Sequence, residues 1–82
     1  MTKFNSTEEA LTWLAEIFEA PPESIRSDTQ RDKVEAWDSL GMLTLMARLD
    51  EELEIILDED QMAELKTIGD VVKVMRSHGC LN

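Results

Sequence analysis

Apolar residues along the chain fall into helical stripes separated by polar stretches. Leu11, Leu14, Ala15 and Phe18 share one helical face, and Trp13 and Ile17 widen it. Ser6-Thr7-Glu8-Glu9 precedes this stripe in the form of a capping box, in which the hydroxyl reaches the Glu9 N–H and the carboxylate reaches back. Pro21-Pro22 stops the helix, because a residue before proline is pushed out of the α region. Glu19 to Trp37 is long and polar. Ile25, Val34 and Trp37 are expected to pin it to the core, with one short turn at Pro22-Glu23-Ser24-Ile25.

The second helix is predicted from Ser39 to Leu53 and is apolar over a wide arc. Met42, Leu45, Met46, Leu49 and Leu53 form one stripe. Leu40, Leu43 and Ala47 form another, rotated away from it at about 100° per residue. Thr44, Arg48, Glu51 and Glu52 are assigned to the wet side. Either this helix is the buried centre and both stripes are core, or the second stripe stays open for a partner. Ile55-Ile56-Leu57 reads as a buried connector, and a short helix is expected near Asp60 to Leu65 with Met62 and Leu65 inward. Thr67-Ile68-Gly69-Asp70 caps a last helix that buries Ile68, Val71, Val72 and Met75 and stops at Gly79. The fold class is all-α: a small four-helix bundle of three longer helices and one short one, with a long loop between the first two.

The chain has 82 residues, read as a single domain over 1–82 with frayed tails at 1–5 and 79–82. A core of this size leaves no room for a deep catalytic cleft. Eighteen acids against eight bases give a net charge of −10. That field repels nucleic acid and anionic membranes and draws partners with basic patches. No apolar run reaches the length of a membrane span, and the N-terminus has no hydrophobic signal region. A single cysteine, Cys80, rules out an intrachain disulfide and fits a cytoplasmic home. His78 and Cys80 read as incidental.

The acidic run from Asp50 to Asp60 invites a metal, but no glycine falls in it and it lacks the alternation of a calcium loop, so no metal site is expected. The carboxylates read as surface charge, and no base is placed to activate a serine, so no catalytic residue is assigned and the chain is not expected to be an enzyme. A hydrolase using Ser39 is therefore remote. What remains is Asp38-Ser39-Leu40, which opens the second helix. A hydroxyl in a first helical turn sits beside unpaired N–H groups and the positive end of the helix dipole, which suits a phosphate added by another protein. The plain alternative is that Asp38 or Ser39 is only an N-cap.

The pattern as a whole resembles the acyl carrier proteins and the related peptidyl carrier domains. The resemblance runs from the first helix to the last and centres on Asp38-Ser39-Leu40. It includes Leu49-Asp50-Glu51-Glu52-Leu53, Ile56-Leu57-Asp58-Glu59-Asp60 and Leu65-Lys66-Thr67-Ile68-Gly69-Asp70-Val71. It implies a covalent 4′-phosphopantetheine arm on Ser39, flanked by Asp38 and Leu40 and added from coenzyme A by a phosphopantetheinyl transferase. An acyl or aminoacyl cargo would ride on the arm as a thioester. Leu40, Leu43 and Ala47, with the acids Asp50 and Glu51, would meet that transferase, an acyl- or aminoacyl-activating ligase, and a downstream transferase or synthase. The chain would act as a monomer in fatty-acid, polyketide or nonribosomal-peptide assembly.

Two departures favour a stand-alone carrier of a specialised pathway. Glu35-Ala36-Trp37 stands where the family often has a glycine, and Gly41 and Thr44 stand where the recognition helix usually has acids, with Arg48 adding a positive charge. Leu49, Met46, Ile56, Met62, Leu65 and Val72 are candidates to line a cargo space and fit equally well as ordinary core. The contrasting expectation is an unmodified acidic adaptor that docks through the same helix with Ser39 as a simple cap.

Overall fold

Ser6 starts the first helix as predicted, and in the computed structural model, which describes residues 3–81, its Oγ accepts the Glu9 N–H at 3.3 Å. The return bond of the expected capping box is not formed. Helix α1, Thr7–Ile17, carries Glu8 and Glu9 in its first turn, where their charge suits the dipole, and buries Ala10, Trp13, Leu14, Ala15 and Ile17. It ends before the prolines act. Glu19 takes a left-handed φ of 53°, the Ala20 N–H returns to the Ala15 carbonyl, and the Glu19 N–H returns to the Glu16 carbonyl. That pairing is a Schellman turn.

The stretch between α1 and the next helix is more ordered than its polarity suggests. It contains two 3₁₀ turns, Pro22–Ser24 and Arg31–Lys33. Ile25, Val34 and Trp37 are buried as expected, and Trp37 stacks on Phe18 with centroids 5.3 Å apart. Its backbone is also tied to the segment that opens the last helix. Gly69 N–H donates to Ser27 C=O at 2.7 Å, Ile68 N–H to Thr29 C=O at 2.9 Å, and Arg31 N–H to Lys66 C=O at 2.8 Å. Gln30 and Thr67 form an isolated antiparallel bridge.

Helix α2 is Ser39–Leu53 and buries Leu45, Leu49 and Leu53, with Met42 and Met46 packed at the edge of the core. The chain then alternates rather than staying buried. Ile55 and Leu57 point inward, but Ile56 is 78 % exposed, which corrects the expectation of a buried connector. Period-two alternation is what extended backbone imposes on neighbouring side chains. Helix α3, Glu59–Ala63, begins at a full capping box between Asp58 and Gln61. Met62 and Leu65 are buried as expected. Helix α4, Ile68–Ser77, starts at the predicted Thr67–Asp70 box and buries Ile68, Val71, Val72 and Met75. It ends in the same kind of turn as α1, with Gly79 at φ 79°.

The tails expected to fray are tied to each other within the described residues. Lys3 and Phe4 N–H both donate to the Cys80 carbonyl, Phe4 pairs with Leu81, and Phe4, Cys80 and Leu81 are buried. Phe4 also packs on Trp13, 5.7 Å between centroids. The architecture is the all-helical four-helix bundle that the periodicity predicts. Among the described residues no helix is long and apolar enough to cross a membrane, and no group of residues is arranged to hold a metal ion.

Candidate functional site

The start of α2 divides its duties between two residues. Asp38 has extended backbone and is the N-cap, its Oδ1 accepting the Gly41 N–H at 2.9 Å. Ser39 is the first helical residue, and its side chain is exposed and unused by the cap. Of the two candidate caps, Asp38 and Ser39, it is Asp38 that fills the role. The N–H groups of Ser39 and Leu40 find no acceptor among the described residues. A hydroxyl, two open N–H donors and the dipole's positive end thus coincide at one exposed point.

Gly41 explains how the lead-in segment can lie so close. A β-carbon there would fall 1.8 Å from the Ala36 carbonyl oxygen, well inside contact distance. The missing acid at this position therefore has a steric cause: the Ala36-Trp37 backbone occupies the space.

The outer face of α2 is the second apolar stripe. Leu40 is 73 % and Leu43 63 % exposed, and Ala47, Asp50 and Glu51 are exposed with them. Of the residues assigned to the wet side, Glu51 and Glu52 are exposed, and Thr44 and Arg48 are half-buried. Thr44 lines a hollow with Ile17 and Phe18 of the α1 end, and its Oγ1 donates to the Leu40 carbonyl. Glu52 accepts from the Trp13 indole N–H of α1 at 3.3 Å and pairs with Arg48. The Arg48 guanidinium, then the Trp13 N–H, hold the Glu52 carboxyl below its usual range. Arg48 is thus matched on the flank toward α1 and does not add an open positive charge to the apolar stripe.

Beside Ser39 runs a groove of about 410 Å³ between α2 and α3, lined by Ser39, Met42, Leu43 and Met46 on one side and Glu59, Met62 and Ala63 on the other, with Arg31 at its edge. Of the residues expected to line a cargo space, Met46 and Met62 do so. Leu49, Leu65 and Val72 are closed core, and Ile56 faces outward. Arg31 was missed because a polar loop residue gives no periodic signal. The Trp37 indole N–H points to Met42 Sδ at 3.3 Å, and the Arg31 guanidinium lies over the same ring, 5.9 Å from its centroid. His78 is the C-cap of α4 and does not line this groove, so the sole histidine is not beside Ser39.

Residues 9–75 match the model of the family described as "Phosphopantetheine attachment site". Among solved structures, the chain is similar to the solution NMR structure of the holo acyl carrier protein from Geobacter metallireducens. Identity is 25 %, the TM-score is 0.72, and the match covers 88 % of this chain and 84 % of that one. No curated protein matches the chain.

Proposed function

From its membership of the phosphopantetheine-attachment family, to which the chain belongs, we propose that Ser39 is the point where the arm is attached and that the protein shuttles a thioester-bound cargo between enzymes. The family carries rather than catalyses, and its group is covalent 4′-phosphopantetheine. The observation that carries the assignment is the division of labour at the α2 start. Asp38 does the capping, which leaves the Ser39 hydroxyl exposed and chemically unoccupied.

The residues around Ser39 fit such a group. The open N–H groups of the first turn favour a phosphodiester oxygen, and Asp38, engaged with Gly41, holds that turn in shape. The Met-lined groove offers an apolar bed beside the attachment point, and methionine adapts to varied shapes. When bound, the group supplies a thiol on a long tether, which is where the acyl or aminoacyl cargo is held.

Leu40, Leu43 and Ala47 form the surface that partners grip, with Asp50 and Glu51 at its far end. From Ser39 to Asp50 the helix rises about 16 Å at roughly 1.5 Å per residue. A partner would place an apolar contact near Ser39 and its basic residues toward the far end. This charge distribution, together with Trp37, supports a stand-alone carrier in a specialised pathway. Its partners are a phosphopantetheinyl transferase, an acyl- or aminoacyl-activating ligase, and a downstream transferase or synthase. We place it in the cytoplasm as a monomer, where coenzyme A is at hand to supply the arm.

Intact-mass measurement after incubation with coenzyme A and a broad phosphopantetheinyl transferase tests the assignment. The wild type is expected to gain the mass of one arm, and Ser39→Ala is expected to gain none while unfolding at the same denaturant concentration. No gain on the wild type, or the same gain on Ser39→Ala, would overturn it.

A further inference from the structure

Arg31 borders the groove that opens at Ser39, and among the described residues no carboxylate lies within ion-pair distance of it. Among the described residues the one ion pair is Arg48–Glu52. In a chain of net charge −10, an arginine held without a partner beside a modifiable hydroxyl calls for an explanation. Its position is fixed from two directions. The backbone is held by the bond from Arg31 N–H to the Lys66 carbonyl and by the neighbouring Gln30–Thr67 bridge. The guanidinium rests over Trp37, a cation–π contact, and Trp37 is itself buried, stacked on Phe18 and directed at Met42.

We propose that Arg31 binds the phosphodiester on Ser39 and thereby directs the arm into the groove between α2 and α3. This rests on the reading of Ser39 as the attachment point. Asp38 at the cap and Glu59 on the opposite rim both repel an anion at Ser39. With acids alone around it, the phosphodiester would turn to solvent. The planar guanidinium offers paired donors to phosphate oxygens, and stacking on Trp37 means little of its freedom remains to be lost on binding. Once the phosphate is held at the Arg31 edge, the rest of the arm lies over Met42, Met46 and Met62, the apolar surface next in line. Trp37, which sets this chain apart from the usual lead-in, is then the platform that holds the cation.

The test uses full-length wild type, Arg31→Gln and Arg31→Lys, each loaded from coenzyme A and checked by intact mass, followed by ³¹P NMR of the loaded proteins. The wild-type phosphodiester resonance is expected to be displaced from that of loaded Arg31→Gln at low salt. Raising the salt should move it toward the Arg31→Gln position, because screening weakens an exposed ion contact. Arg31→Lys, which keeps the charge but loses the planar fork, should fall between them. The Met42 and Met46 methyl resonances should shift on loading in wild type and shift less in Arg31→Gln. Coincident ³¹P resonances in loaded wild type and both variants at low salt would overturn the role of Arg31 and leave Ser39 untouched. No loading of the wild type would overturn the Ser39 reading and the Arg31 role with it. If Arg31→Gln fails to fold, as judged by its amide spectrum, the comparison of wild type with Arg31→Lys carries the test by the same criterion.

Discussion

Ser39 can carry a modification because its neighbours do the structural work. Asp38 satisfies the Gly41 N–H, so removing the Ser39 hydroxyl takes away no cap, whereas removing the Asp38 carboxylate would cost about 1 kcal/mol. Gly41 is the less obvious member of the group. It sits in a helix, where glycine is normally unfavourable, yet no β-carbon fits against the Ala36 carbonyl. Gly41→Ala should therefore destabilise the protein by about 1–3 kcal/mol, although alanine is the better helix former. Equilibrium urea unfolding decides this, and an equal or higher stability would show that the lead-in can move aside freely. The cap and the serine were legible in the sequence as a pair, but which of the two did the capping was not, since both types suit the position. The clash at Gly41 was not legible at all, because it depends on where the lead-in backbone passes.

Among the elements, α2 is the one with one apolar stripe in the core and another exposed, and α4 is the one whose start is tied by a full capping box and a further bond. Thr67 and Asp70 satisfy each other's backbone, and the Asp70 carboxylate also accepts the Lys66 and Thr67 N–H groups at 2.8 and 3.1 Å. The bond from the Lys66 N–H, more than any other contact, holds the Asp70 carboxyl below its usual range. A folded value below the unfolded one means that ionised Asp70 contributes stability above the ordinary carboxylate range. That contribution is lost as pH falls through the lowered folded value. Asp70→Asn should lower stability at neutral pH by about 1 kcal/mol and flatten the acid limb of the stability profile. Urea midpoints at neutral and acidic pH measure this, and parallel profiles for the two proteins would exclude it. The box was readable because Thr-x-x-acid is a local pattern. The alternation at Ile55-Ile56-Leu57 was not, because three apolar residues do not show which of them the backbone turns outward.

For the whole molecule, the core closes while an apolar surface stays open, the surface proposed above for partners. The core closes around Leu14, Leu45, Leu49, Ile68 and Met75, with the connecting segments supplying Ile25, Val34, Trp37 and Ile55 and the chain ends supplying Phe4 and Leu81. Leu40 and Leu43 are thereby left outside. Leu43→Arg should keep the wild-type stability within about 0.5 kcal/mol, as surface changes do. It should slow loading by the phosphopantetheinyl transferase by about tenfold, the effect of losing about 1.4 kcal/mol of contact. Thermal unfolding and the initial rate of mass gain report the two halves. An unchanged rate would remove Leu43 from the partner surface, and a large loss of stability would return it to the core.

The helical periods, the caps at Ser6 and Thr67, and the bounds of α2 follow from the sequence alone, because each depends on residues within a turn or two of one another. The sequence also carries the family pattern around Asp38-Ser39-Leu40. Which stripe of α2 faces outward is settled by the packing, since two apolar stripes on one helix are equivalent until a core forms against one of them. The same holds for the pairing of Phe4 with Leu81, the outward turn of Ile56, and the place of Arg31 over Trp37 at the edge of the Ser39 groove. Those outcomes rest on contacts between segments distant along the chain, which no local spacing records.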